Sequence, residues 1–243
     1  MRADPAATTA QTAQTVPTGR PARLEARGLV KRFGTVEALA GVQVSLADGE
    51  APAVMGPSGS GKSTLLHCLA GILPPDAGSV LLRGQDVTHL DERERSLLRR
   101  RRYGFVFQFG QLLSELSAAE NVALPAMLLG APRAKATADA KQWLHSLGLA
   151  GMENRRPGEL SGGQAQRVAV ARALITGPDV VFADEPTGAL DQATGAEVMH
   201  VLTQATQAAG ASLVVVTHDE HVASWCSRRI VIRDGLVVAE ESR

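Results

Sequence analysis

The most chemically pointed residues lie in one nine-residue run, Gly56-Pro57-Ser58-Gly59-Ser60-Gly61-Lys62-Ser63-Thr64. It fits G-x-x-x-x-G-K-[ST] and stands between a short apolar segment and a stretch with helical spacing, the context that motif requires. Small residues let backbone amides close around phosphate oxygens, and a helix N-terminus behind them adds a positive field. Lys62 would then bridge the β- and γ-phosphates of a nucleoside triphosphate, and the Ser63 hydroxyl would hold Mg²⁺.

A second constellation is Val180-Val181-Phe182-Ala183-Asp184-Glu185, a buried strand ending in two acids. In a parallel sheet the carboxyl ends of strands are where ligands bind, which would set this pair beside the glycine-rich loop. Asp184 would hold Mg²⁺ through water, and Glu185 would orient the attacking water and accept its proton. Taken alone, the pair reads more readily as the N-cap of a following helix. A third is Leu160-Ser161-Gly162-Gly163-Gln164, leading into an apolar helix. Bare amides, a hydroxyl and a helix dipole make a second anion site, although the same residues also describe an ordinary capped helix. Two such sites in one chain suggest a nucleotide held between two copies.

These elements require a frame. The expected strands are Arg23–Val30, a segment through Val42, Val44 and Leu46, Ala51–Met55, Ser79–Leu82, Tyr103–Phe107, Val180–Ala183 and Ser212–Val216. A terminal hairpin follows, Ile230–Arg233 and Leu236–Glu240, closed by Asp234-Gly235, a pair suited to a turn with φ > 0. Helices are expected over Lys62–Ala70, Asp91–Arg102, Gly163–Ile175 and Thr194–Ala209. From about Gln111 to Arg156 the pattern is mainly helical, without a strand signal, with a capping box at Ser117–Glu120 and a helix opened by Pro132 and ending at Gly148. The fold expected is α/β: a mostly parallel sheet of the P-loop NTPase type, with an N-terminal antiparallel region and an inserted helical subdomain over about residues 111–160. Pro52 lacks the amide that a strand ladder uses, so the strand before the loop should begin at Ala53 or carry a bulge.

Composition bounds the function. The chain has 243 residues, 44% hydrophobic and 21% charged, with 25 basic and 25 acidic side chains. That is globular usage without the basic excess of a nucleic-acid binder, and no nucleic-acid partner is expected. Cys68 and Cys226 cannot build a disulfide framework and point to a reducing compartment. Apolar stretches such as Ser63 to Pro75 and Asn121 to Pro132 fall short of the ~20 residues a membrane helix needs. The Ala-, Thr- and Pro-rich residues 1–22 read as a disordered tail before a single domain over 23–243.

The order of motifs resembles the ATP-binding cassette family: glycine-rich loop, Gln108, Ser161–Gln164, Asp184-Glu185, Asp191, His218. The resemblance covers about Leu24 to Glu240 and implies further roles. Gln108 would reach Mg²⁺ and sense the γ-phosphate, where its residue type alone says only a loop amide. Asp191 would cross a dimer interface, where alone it would cap the next helix. His218 would act catalytically as the switch histidine at the γ-phosphate, where a lone histidine is more often structural. Phe33 would stack on adenine, against the alternative of a packed core ring. Ser161, Gly162, Gly163 and Gln164 would act on the partner subunit's ATP. Ala165 stands where the family frequently has glutamine.

The contexts Phe107-Gln108, Glu120–Pro125 and Ala183–Gly188 look like the branch of lipoprotein-releasing, macrolide-exporting and cell-division ATPases. That implies ATP and Mg²⁺ as ligands and a homodimer or pseudo-dimer of ATPase subunits. It also implies an integral-membrane permease as partner and a place on the cytoplasmic, inner face of the cell membrane. Two alternatives stand beside it: a regulatory cassette gating a cell-wall hydrolase through a membrane partner, and a soluble cassette working in DNA repair or on ribosomes. Two local features have double readings. Arg99–Arg102 is either a solvated helix face or a nucleic-acid contact, and Asn121–Leu129 is either subdomain core or a groove that receives a permease helix.

Overall fold

The structure is a computed structural model that describes residues 22–242. The tail reading of residues 1–22 therefore lies, but for Ala22, outside the described residues. Two long strands open the fold, β1 (Ala22–Phe33) and β2 (Val36–Ala47), paired antiparallel. With β4 (Ala77–Leu82) and the short β5 (Gln85–Asp86) they form a four-stranded sheet in the order β2-β1-β4-β5. The second sheet has six strands in the order β10-β9-β3-β8-β7-β6: β3 (Pro52–Met55), β6 (Tyr103–Phe107), β7 (Val180–Asp184), β8 (Ser212–Val216), β9 (Arg228–Arg233) and β10 (Leu236–Ser242). All its pairings are parallel except the terminal hairpin β9–β10.

The central strands are buried on both faces, which is why they read as unbroken apolar runs. Ala53, Met55, Val181, Ala183, Leu213 and Val215 face one core, shared with α3 (Ala118–Leu128), α4 (Arg133–Ser146), α5 (Gly162–Leu174) and α6 (Gln192–Ala208). Val54, Val180, Phe182, Val214, Val216 and Ile230 face the other, closed by α1 (Lys62–Leu69) and the antiparallel sheet. Between β6 and α5 the described chain holds α3, α4 and a 3₁₀ turn at Pro157–Glu159, and no strand.

Several boundaries move. β3 begins at Pro52 and not at Ala53, with no bulge: Pro52 pairs with Arg228 in unbroken register, and its missing amide falls at the strand's first residue, where no ladder is interrupted. Pro132 is the N-cap of α4 and not its first residue. The arginine-rich end of α2 (Glu92–Arg102) is no uniform solvated face: Arg99 bonds the Gly71 carbonyl, Arg100 the Leu128 carbonyl and Arg102 the Asp179 carboxylate. A short α7 (Glu220–Ala223) follows β8.

Asp179, just before β7, ties the two sheets together. Its side chain is 6% exposed and accepts from Arg23 of β1, Arg83 of the β4–β5 turn and Arg102. Its peptide bonds the Arg102 carbonyl and the Ser212 amide. Removing one partner of a buried ion pair leaves the rest uncompensated. Asp179→Ala should lower unfolding stability by ~3–5 kcal/mol in urea titrations. Asp179→Asn, which keeps an acceptor, should lose less, and equal losses would speak against the electrostatic account.

Candidate active site

The glycine-rich loop leaves β3 at Met55 and enters α1 at Lys62. Gly61 caps α1 without any side-chain bond, so the first-turn amides are left for a ligand. The loop lies on bare backbone. A β-carbon on Gly56 would stand 2.1 Å from the Ile232 carbonyl oxygen, and one on Gly61 2.3 Å from that of Ala38. Lys62 is 9% exposed, and its ammonium donates back to the carbonyls of Gly56 (2.9 Å) and Pro57 (2.8 Å). Ser60 Oγ is buried without a partner. The Ser63 hydroxyl lies 3.4 Å from Asp184 Oδ1, a long contact between two oxygen groups suited to a hard cation.

The other residues reach the same edge because their strands run parallel. Register pairs Phe107 with Asp184 and Asp184 with Val216, so Gln108, Glu185 and Thr217 leave neighbouring strands together. Burial raises the Asp184 carboxyl above the ordinary value, opposed by the Ser63 hydroxyl and the His67 and Lys62 charges. Glu185 adopts φ 47, the left-handed region, a strain that non-glycine residues hold mainly at functional sites. Its carboxylate meets His218 Nδ1 at 2.7 Å and accepts the Thr217 hydroxyl at 3.2 Å. The His218 contact is a donation to Glu185 in the tautomer that carries its hydrogen on Nδ1. The Gln108 amide lies over Gly188, where a β-carbon would come within 2.8 Å of its Nε2. Phe33 is 50% exposed at the end of β1, with the Lys31 ammonium 5.8 Å from its ring, so it is no core residue.

Ser161 caps α5 in a reciprocal box with Gln164: its hydroxyl accepts the Gln164 amide, and the Gln164 side chain accepts the Ser161 amide. Gly162 and Gly163 make room for the segment that leads into α6 and for its first turn, since β-carbons there would stand 2.9 Å from Leu190 and 2.5 Å from Thr194. Asp191 caps α6 through the Thr194 amide and hydroxyl, which hold its carboxyl below the usual range. The cap readings of Ser161 and Asp191 are thus what the single chain displays. Two residues escaped the sequence reading. Gln166, buried, donates to the Phe107 carbonyl at 2.8 Å, and Arg172 donates to the carbonyls of Gly110 and Gln111 at 2.7 Å each. Burial lowers the Arg172 pKa. Their only sequence signal was polarity within an otherwise apolar helix.

A parallel sheet whose carboxyl edge carries a glycine-rich anion loop beside paired acids defines a phosphate-loop nucleotide hydrolase. The chain belongs to the ABC transporter family, whose model matches residues 39–188, and is an ATP-binding cassette ATPase. It is 44% identical over 221 residues to the lipoprotein-releasing system ATP-binding protein LolD of Geobacter metallireducens, covering 89% of this chain and 98% of that protein. It is also 44% identical over 230 residues to the macrolide export ATP-binding/permease protein MacB of Nitrosomonas europaea, covering 93% of this chain. Here it spans only 35% of the relative's length. The dimeric bacterial ABC transporter cassette MJ0796 superposes with TM-score 0.82 at 37% identity, covering 90% of this chain and 98% of that one. The same cassette is known as a dimer in a post-hydrolysis state bound to ADP and Pi, with TM-score 0.81.

A carboxyl whose folded pKa is raised gives stability below its unfolded pKa and loses it as pH rises through the folded value. Asp184→Asn should therefore melt above the wild type near pH 7 without nucleotide, and the gap should close near pH 4, around the ordinary carboxylate pKa. An Asp184→Asn protein melting no higher than wild type near pH 7 would speak against desolvation as the dominant cause.

Proposed function

We propose that this ATPase binds and hydrolyses Mg-ATP at its Gly56–Thr64 loop, as half of a two-subunit assembly that drives a membrane permease. The observation that carries the reading is convergence: the loop, Gln108, Asp184-Glu185 and Thr217-His218 leave four neighbouring parallel strands at one edge. Phe33, at the tip of the antiparallel sheet, would stack on adenine. The amides of residues 56–64 would wrap the phosphates, and Lys62 would exchange its two loop carbonyls for β- and γ-oxygens. Ser63, Asp184 and Gln108 would hold Mg²⁺, which supplies neutralising charge at those oxygens. Glu185 would take the proton of the attacking water, with His218 and Thr217 orienting its carboxylate.

Ser161–Gln164 sit on another helix start, capped within themselves with Ser161 and Gly162 exposed, and would complete the γ-phosphate shell of a second copy. Asp191 would join that interface. The helical stretch of about 111–160 would form the permease-facing subdomain of a single domain over 23–243. Asn121–Leu129 divides accordingly. Asn121, Val122 and Ala123 are core, while Leu124, Pro125 and Leu128 line a cavity of about 370 Å³ with Phe105 and Phe107. That groove, edged by the Gln108 loop, would receive a helical segment of the permease. No helix among the described residues is long and apolar enough to cross a membrane, and the protein would work on the cytoplasmic face of one through that partner.

Lys62→Ala should lose ATP binding in calorimetric titration, and unchanged affinity would overturn the loop assignment. Glu185→Gln keeps size and hydrogen bonding but cannot accept a proton. ATP binding should persist while hydrolysis falls by ~10²–10⁴-fold. With Mg-ATP trapped between two subunits, the variant should elute as a dimer in size exclusion where wild type does so only briefly. Wild-type turnover would remove Glu185 as the base, and an inactive, ATP-bound monomer would overturn the shared site.

A further inference from the structure

The Asp234-Gly235 turn has no part in the site as described, yet it touches the loop. Gly235 is buried, with φ 73, and is bonded on both sides. Its amide donates to the Ser60 carbonyl at 3.1 Å, and its carbonyl accepts the Ala40 amide of β2 at 2.9 Å. A β-carbon on Gly235 would stand 2.9 Å from the Ala38 carbonyl oxygen and 3.2 Å from Leu39 Cα. The same carbonyl of Ala38 is the one Gly61 approaches, and Gly56 approaches Ile232 of β9, the strand that leads into the turn. The loop from Gly56 to Gly61 therefore rests on the backbone of β2 and of the terminal hairpin.

We propose that Gly235 is a positioning residue for nucleotide binding. The Ser60 carbonyl and the Gly61 amide belong to one planar trans peptide, so they point in opposite directions. Holding the carbonyl against the hairpin turn aims the Gly61 amide into the hollow of the loop, where a phosphate would sit. An anion cradle of backbone amides depends on that aim, because misplacement near 1 Å costs up to about 10²-fold in a preorganised site. Only glycine serves at 235, since a side chain would meet Ala38 and the left-handed φ would be strained. The hairpin thus belongs to the binding apparatus through its backbone.

The inference rests on the reading of Gly56–Thr64 as the phosphate loop, and the test separates the two. ATP affinity and steady-state kinetics are measured on full-length wild type, Gly235→Ala, Lys62→Ala and Val238→Ala, the last an exposed position on the same hairpin. Gly235→Ala should bind ATP about tenfold to a hundredfold more weakly and raise KM in proportion. Its kcat should stay within about threefold, because the proposed base and switch residues stand on other strand ends. Val238→Ala should keep the wild-type KM.

Wild-type affinity in Gly235→Ala, or an equal rise of KM in Val238→Ala, overturns the role given to Gly235. Should Gly235→Ala fail to fold, hydrogen exchange on wild type decides: saturating ATP should slow the Gly235 amide about tenfold, and unchanged exchange overturns the inference. If Lys62→Ala binds ATP as wild type does, the phosphate-loop reading itself falls. If Lys62→Ala loses binding and Gly235→Ala keeps it, only the hairpin inference falls.

Discussion

Parallel pairing is the constraint on which the site depends. Antiparallel neighbours would send alternate strand ends to opposite edges of the sheet. Here β3, β8, β7 and β6 all point one way, and the ladder fixes their ends to within a residue or two. A slip of one residue in β7 would turn Asp184 into the interior and flip every apolar residue behind it. Two cores prevent that slip. Val181 and Ala183 are packed on one face, Val180 and Phe182 on the other, and neither set tolerates the other's place. The precision of the polar groups is thus set by apolar packing beneath them.

Within the single chain, the reactive groups are bonded to neighbouring residues. Lys62 holds loop carbonyls, Glu185 holds His218, Ser161 holds Gln164, and Asp191 holds Thr194. Binding would exchange one satisfied bond for another, and the net gain of each exchange is modest, about 1 kcal/mol for neutral partners. Asp184 differs. It is partly desolvated with only a long contact to Ser63, so it gains most from a cation.

Local signals in the sequence were read well where the physics is local. The Ser117–Glu120 capping box forms as its four-residue pattern says, and the Asp234-Gly235 turn takes positive φ at both residues. The strands before the glycine-rich loop and before Asp184-Glu185 were legible because burial on both faces leaves an unbroken apolar run. What was not legible is contact between distant segments. Nothing near Asp179 announces Arg23 and Arg83, and nothing in the glycine-rich loop announces that Gly235 lies beneath it. Pro52 misled for a related reason. Its cost depends on whether a partner needs its amide, and at the first residue of β3 none does.

The helix α5 shows how such distant contacts become functional. Ser161 stands at its start, Gln166 in its middle and Arg172 near its end, and the last two are bonded to the carbonyls of Phe107, Gly110 and Gln111. Those carbonyls belong to the segment that carries Gln108 and borders the groove of Phe105, Phe107 and Leu128. A thirteen-residue helix with a packed face moves as a unit. The packed helix therefore ties the Gln108 segment to the Ser161 end through backbone carbonyls that no substitution at their own positions removes. Arg172 holds two of these carbonyls with one desolvated guanidinium, and Gln166 holds the third.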